Sequence, residues 1–495
     1  MAPRPANLGD LKKSGWKSVS VKVEMRNNLI RKINSGSELF PGIVGYEKTV
    51  IPQLQHALLS RHDIILLGLR GQAKSRILRL LVNFLDEYLP VIKGSEINDD
   101  PYHPLSKYAK KLIEEKGDET PIAWLHRSER YAEKLATPDT SVADIIGDVD
   151  PIKAATRRLT LSDEDVINFG LIPRTNRGIF AINELPDLQP RIQVSLLNIM
   201  QERDIQIRGF NVRIPLDILM VFSANPEDYT NRGNIITPLK DRIDSQIITH
   251  YPRTIEAGMD ITRQEAWIKR DDGLKISVPY FVREIVEQIA VEARASEYID
   301  QKSGVSARLT ITAMENIISA AERRAVINKE KKTHTRVSDI YYSIPALTGK
   351  LELVYEGEQE GAINVAKHLV GASINKIFKN YFPDPQKKVE GDKSLYSNVI
   401  TWFAKGNKID LPDHLNSSEY ANRLSEVDGL QELVKKNVKP QTEDDLYIMM
   451  DFVLEALHQN SILGKDDLDD QRSFTDMVGS MLGSLGDYDG NYDDE

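Results

Sequence analysis

Between residues 63 and 225, continuous apolar runs alternate with amphipathic stretches. DIILLGL (63–69), GIFAINEL (178–185) and LDILMVFSAN (216–225) read as strands buried on both faces, whereas RILRLLVNFLDEYL (76–89) and RIQVSLLNIMQER (191–203) space their apolar residues at helical intervals. Strands followed by helices at this cadence predict an α/β fold with a parallel sheet between helices. The alternating RDIQIRGFNVRIPLD (203–217), with Gly209 between its halves, predicts a hairpin just ahead of the third strand. From about 253 to 345 the pattern turns helical, as in ARLTITAMENIISAAERRAVIN (307–328). Residues 346–464 continue so, with polar interruptions at 381–394 and 405–418. Residues 1–36 are polar and predict a loosely held arm.

Composition adds limits. At 495 residues the chain is too long for one ordinary core, and 41% hydrophobic with 28% charged residues predicts a soluble protein of two or three domains. No apolar run reaches the ~18 residues of a membrane span, and the start carries no apolar signal core, so the expected location is the cytoplasm without membrane insertion. The absence of cysteine excludes disulfides, thiolate metal sites and a cysteine nucleophile. Much of the formal charge of −10 sits at the end: residues 464–495 hold ten acids against Lys465 and Arg472. Residues 465–495 are therefore expected to be an acidic disordered tail. The nearly neutral remainder gives no electrostatic case for nucleic acid.

GLRGQAKS (68–75) stands directly after the first strand and directly before an amphipathic helix, the context of a phosphate loop. Its glycines let successive amides turn toward phosphates, the helix start adds partial positive charge, Lys74 reaches the β- and γ-phosphates, and Ser75 ligates Mg²⁺. Gly68, Gly71, Gln72, Ala73, Lys74, Ser75 and Arg76 are the candidate ATP contacts. Ala73 stands where the second glycine of the motif belongs, which is acceptable if its backbone is near right-handed helical.

Glu184, at the end of the second buried run, is placed to orient or deprotonate a water for attack on the γ-phosphate. Asn183 stands where an aspartate would hold the metal's water shell, making Ser75 and Asn183 the candidate metal residues. Asn225, ending the third run, is a candidate polar sensor. Arg242 and Arg308 read either as surface ion-pair partners or, in order with a phosphate loop, as an arginine finger and a second sensor. A finger must reach a neighbour's phosphate, which implies a ring.

These residues, in this order, resemble an AAA+ ATPase of the magnesium chelatase I-subunit and MoxR-related group. FPGIVGYEKTVIPQL (40–54) is similar to the family's segment over the adenine, which brings in Ile43 and Val44. NDDPYHPLSKYAKKL (98–112) and TPDTSVADIIGDVDPIKA (137–154) resemble chelatase-type inserts, and FGLIPRTNRGIFAINEL (169–185) resembles the approach to the Walker B strand. The resemblance covers about 37–345. It implies an AAA+ P-loop core at 37–252, an all-α lid at 253–345 and a helical C-terminal extension at 346–464. It also implies ATP and Mg²⁺ as cofactors, a hexameric ring, and remodelling of a client protein, with a von Willebrand A domain protein as a possible partner. Asn183 departs from the family's aspartate. The alternatives are the motor subunit of a true metal chelatase and a nucleotide-gated scaffold that turns over slowly because of Asn183. The scattered His56, His103 and His126 do not make a zinc site.

Overall fold

The computed structural model describes residues 4–150, 152, 156, 164–202, 204–206, 213–225, 234–270, 273–387, 395–468 and 471–477, and it divides the chain into two compact units, Met1–Tyr251 and Pro252–Glu495. The first is built on five parallel strands: β1 (Ile64–Leu67), β2 (Tyr131–Leu135), β3 (Gly178–Asn183), β4 (Ile218–Ala224) and β5 (Ser245–Ile248). They lie in the order β5-β1-β4-β3-β2.

Alternate residues of each central strand feed different cores, because successive side chains leave opposite faces. Ile65 and Leu67 join Phe180, Ile182 and Phe222 in a cluster with helix Pro190–Gln201. Ile64 and Leu66 join Ile179, Ala181 and Val221 in a second cluster, with helices Val21–Asn34, Val50–Leu59 and Lys74–Leu80. Leu67 pairs with both Ala224 and Ile248, while Phe222 pairs with Ile182. The carboxyl ends of β5, β1, β4 and β3 therefore finish together, where open α/β sheets bind ligands.

Three expectations change. The helix predicted over 76–89 ends at Leu80, a 3-10 turn follows at Leu81–Phe84, and Tyr88–Ile92 is a strand paired antiparallel with Ile122–His126. Pro90 bars a helix from running on through 88–92, since neither it nor its predecessor suits one, but the stop at Leu80 lies too far ahead of it to be its effect. The segment 1–36 is no loose arm over its described residues, which begin at 4. Val21, Met25 and Leu29 enter the core, and Glu24 forms a buried bidentate pair with Arg130 at 2.7 and 2.6 Å. Ahead of that helix, Ile122 donates to Ala6 O, Trp124 Nε1 donates to Pro5 O, and the Arg4 guanidinium lies 3.2 Å from the Tyr88 ring centre. The predicted hairpin has its strands, Asp204–Gln206 and Arg213–Pro215 in antiparallel register, while Gly209 falls outside the described residues.

In the second unit, one apolar cluster extends from Val278 to Phe474. The segments expected as lid and extension share this core, which joins helices Tyr280–Ala295, Arg308–Ile327, Ala362–Tyr381 and Glu443–Gln459. Phe281 and Phe452 stack at 4.4 Å within it. The disorder expected from 465 onward is the third correction, for Leu463–Leu468 and Gln471–Asp476 form an antiparallel hairpin joined by Ile409–Asp410. Lys465 and Arg472 are buried in ion pairs with Asp451 and Glu455, and Phe474 enters the core. The acidic average of the segment conceals these three anchors. Residues 478–495 lie outside the described ones. No helix among the described residues is long and apolar enough to cross a membrane.

Candidate functional site

The phosphate loop leaves β1 at Leu67 and enters its helix at Lys74. Gly71 has φ +75°, the left-handed region that glycine occupies freely. Ala73 lies there too, at φ 58° and ψ 17°, so the expected right-handed entry is not the one adopted. An L-residue in that region is held at a cost of roughly 1–2 kcal/mol, which explains why glycine is the motif's residue. Gly68 is needed for space, since a Cβ there would collide with Thr249 Oγ1 and Gln72 Oε1. Lys74 is buried, and its Nζ donates to Gly68 O and to Leu69 O, the latter at 3.0 Å.

The two halves of the candidate site meet at Asn183. Its Oδ1 accepts from Ser75 Oγ at 3.3 Å and from Ser223 Oγ at 3.0 Å, which joins the loop helix to the ends of β3 and β4. Ser75 and Asn183 thus present side-chain oxygens together, the donor type that Mg²⁺ takes. Glu184 follows at φ 55°, a left-handed non-glycine residue at the strand's carboxyl end, where local strain turns the chain out of the sheet. Asn225 follows β4, and its buried Oδ1 has no hydrogen-bond partner among the described residues. An unpaired acceptor at the mouth of a phosphate loop is open to a donor from a ligand or its water.

The remaining candidates are less drawn together. Ile43 is buried in the core with Phe40 and Tyr46, and Val44 is half-buried beside it. Arg76 is exposed on the loop helix. Arg242, at the end of helix Thr237–Arg242, donates through Nε and Nη2 to Gln201 Oε1 at 3.1 and 3.0 Å and through Nη1 to Pro238 O. Arg308 belongs to the second unit, where it starts helix Arg308–Ile327 with an exposed side chain.

Sequence reasoning missed Tyr46, Thr249, His250 and Ser223. Thr249 Oγ1 donates to Gln72 Oε1 at 2.6 Å, with Leu67 O nearby at 3.1 Å, and Tyr46 OH reaches Gln72 O at 3.0 Å and His250 O at 2.7 Å. Burial pushes the Tyr46 hydroxyl up to about 12, so it keeps its proton and remains a donor at neutral pH. Tyr46 closes the FPGIVGY stretch, the one signal that pointed near it.

A profile described as the Sigma-54 interaction domain matches residues 162–248, the stretch that holds β3, β4 and β5. The magnesium-chelatase 38 kDa subunit of Cereibacter sphaeroides is 26% identical over 46% of this chain and 64% of its own length. The chloroplastic magnesium-chelatase subunit ChlI-2 of Arabidopsis thaliana is 24% identical over 46% of this chain and 52% of its own. The chain thus spans about half to under two thirds of these relatives. Among solved structures, the complex between subunits BchI and BchD of magnesium chelatase aligns at TM-score 0.34 and 19% identity, covering 65% of this chain and 98% of that one. The phosphate loop at the end of β1, the five-stranded parallel order and these sequence matches support an AAA+ ATPase fold similar to that of the magnesium-chelatase I-subunit group.

Proposed function

We propose that this chain binds ATP with Mg²⁺ and hydrolyses it as one subunit of a hexameric ring that remodels a partner protein, in the MoxR manner and with a von Willebrand A domain protein as the class of partner. The observation that carries the reading is the Ser75–Asn183–Ser223 link, which brings the phosphate loop and the two strand ends that would flank a γ-phosphate to one point. In this reading Gly68, Gly71, Gln72, Ala73 and Arg76 shape the loop, Lys74 faces the β- and γ-phosphates, and Ile43 and Val44 lie against the base. Ser75 and Asn183 hold the metal, which when bound neutralises phosphate charge. Glu184 orients the attacking water, Asn225 senses the γ-phosphate through its unpaired oxygen, and Arg242 and Arg308 serve as finger and second sensor.

Asn183 favours a second reading, a scaffold that binds ATP and barely turns it over, because a neutral amide lacks the charge that retains Mg²⁺. The relatives' chelatase names support a third, a motor that serves metal insertion. Steady-state ATPase measured against Mg²⁺ separates the first two. Asn183→Asp is expected to lower the Mg²⁺ needed for half-maximal rate, since it restores a charge beside the metal. Glu184→Gln is expected to keep ATP binding and lose turnover. A wild-type rate equal to that of Glu184→Gln at every Mg²⁺ concentration would leave the scaffold standing.

A further inference from the structure

Gln72 lies in the middle of the phosphate loop, and its side chain is held by the protein itself. Its Oε1 is taken by Thr249 Oγ1 at 2.6 Å, and its backbone oxygen faces Tyr46 OH at 3.0 Å. Tyr46 OH also reaches His250 O at 2.7 Å, and Thr49 Oγ1 and His250 Nε2 stand 2.8 Å apart. One residue further, Tyr251 OH donates to Arg70 O at 3.0 Å. Residues 249–251 thus hold the loop at two points, Arg70 and Gln72, and Tyr46 clamps the second from the other side. Gln72, Thr249 and Tyr46 are all buried, so these bonds form away from competing water. The clamp also accounts for Gly68, because Thr249 Oγ1 and Gln72 Oε1 fill the space a Cβ would take.

We propose that Tyr46 and Thr249 are positioning residues of the nucleotide site, locking Gln72 so that the loop holds its anion-receiving curl before nucleotide arrives. The inference rests on the nucleotide-binding reading above. A loop that is already ordered loses less conformational freedom on binding, and affinity rises accordingly.

The test is a titration of the full chain with a fluorescent ATP analogue, paired with its melting temperature without nucleotide. Thr249→Val keeps the side-chain shape and removes the donor, while Tyr46→Phe removes only the hydroxyl. Each is expected to weaken binding about three- to tenfold, the range for loss of one or two buried hydrogen bonds, and to raise KM by more than it changes kcat. Thr249→Ser, which keeps the hydroxyl, is expected to recover most of the affinity. Wild-type affinity in both Thr249→Val and Tyr46→Phe, with the parent protein binding normally, would overturn the clamp and leave the nucleotide site intact. Equal weakening in Thr249→Val and Thr249→Ser would overturn it as well, by assigning the effect to packing. A parent protein that bound no analogue would remove the nucleotide reading and the clamp with it.

Discussion

Ala73 carries a methyl group in a left-handed backbone, at φ 58°, in the turn that starts the phosphate-loop helix. The conformation costs an L-residue roughly 1–2 kcal/mol, and glycine would give back about 0.4–1 kcal/mol through its freer unfolded chain. The difference, about 0 to 1.6 kcal/mol, favours glycine, so Ala73→Gly is expected to raise stability by up to about 1.6 kcal/mol, or roughly 3–6 °C for a unit of this size. A lower melting temperature for Ala73→Gly in the absence of nucleotide would show that the methyl group stabilises by packing. The residues of the candidate site divide along the same line between what spacing reveals and what only backbone geometry reveals. Lys74, Ser75 and Glu184 stand out as candidates in the sequence because phosphate chemistry would require their types at the ends of apolar runs. Ser223, Thr249 and Tyr46 do not, because a hydroxyl that donates across 177 or 26 positions leaves no local pattern.

Among the elements, β1, β3 and β4 were readable since every residue in them is buried and their runs are unbroken. The edge strands β2 and β5 expose part of each face, so YAEKL and SQII never stand out from loop sequence. Helix Thr237–Arg242 escaped the pattern because it is six residues long and opens with Thr-Pro. That helix presents Arg242, which is 34% exposed and steadied by Gln201 at the end of Pro190–Gln201. An arginine held by Gln201, Pro238 O and Asp241 and still partly exposed suits a finger offered to a neighbouring subunit. Mixing Arg242→Ala subunits with Lys74→Ala subunits should then restore part of the ATPase activity that each lacks alone. Interfaces that pair an intact Arg242 with an intact Lys74 recur only in the mixture. Activity that stayed at the sum of the two separate variants would place Arg242 in a role confined to its own subunit.

For the whole chain, the terminal hairpin is where average composition misleads most. Helix Glu443–Gln459 buries Asp451 and Glu455 completely, and the hairpin returns both cations that face them: Arg472 bonds Asp451 at 2.7 Å, and Lys465 lies 3.3 Å from Glu455. Tyr420 and Tyr341 donate to the same two carboxylates at 2.7 and 2.6 Å. Burial alone would raise the Glu455 carboxyl, but Lys465 and Arg472 outweigh it and hold it at about 2, below its ordinary 4.5. Ending the chain after Gly464 strips both cations from two buried carboxylates, a change expected to cost about 3–5 kcal/mol. Ending it after Met477 keeps the hairpin and is expected to retain full stability. Acid response separates the two truncations further. With the hairpin present, Glu455 binds its proton less readily folded than unfolded, so its stabilisation is complete above about pH 4.5 and is lost as pH falls toward about 2. Without the hairpin, burial dominates and the folded carboxyl takes its proton more readily than the unfolded one, so the shorter chain should regain stability relative to the longer as pH falls below neutral. Urea midpoints for both truncations, measured from pH 7 downward, decide the matter: equal midpoints throughout would mean that the buried ion cluster stands without its cations and that the hairpin is dispensable to the fold.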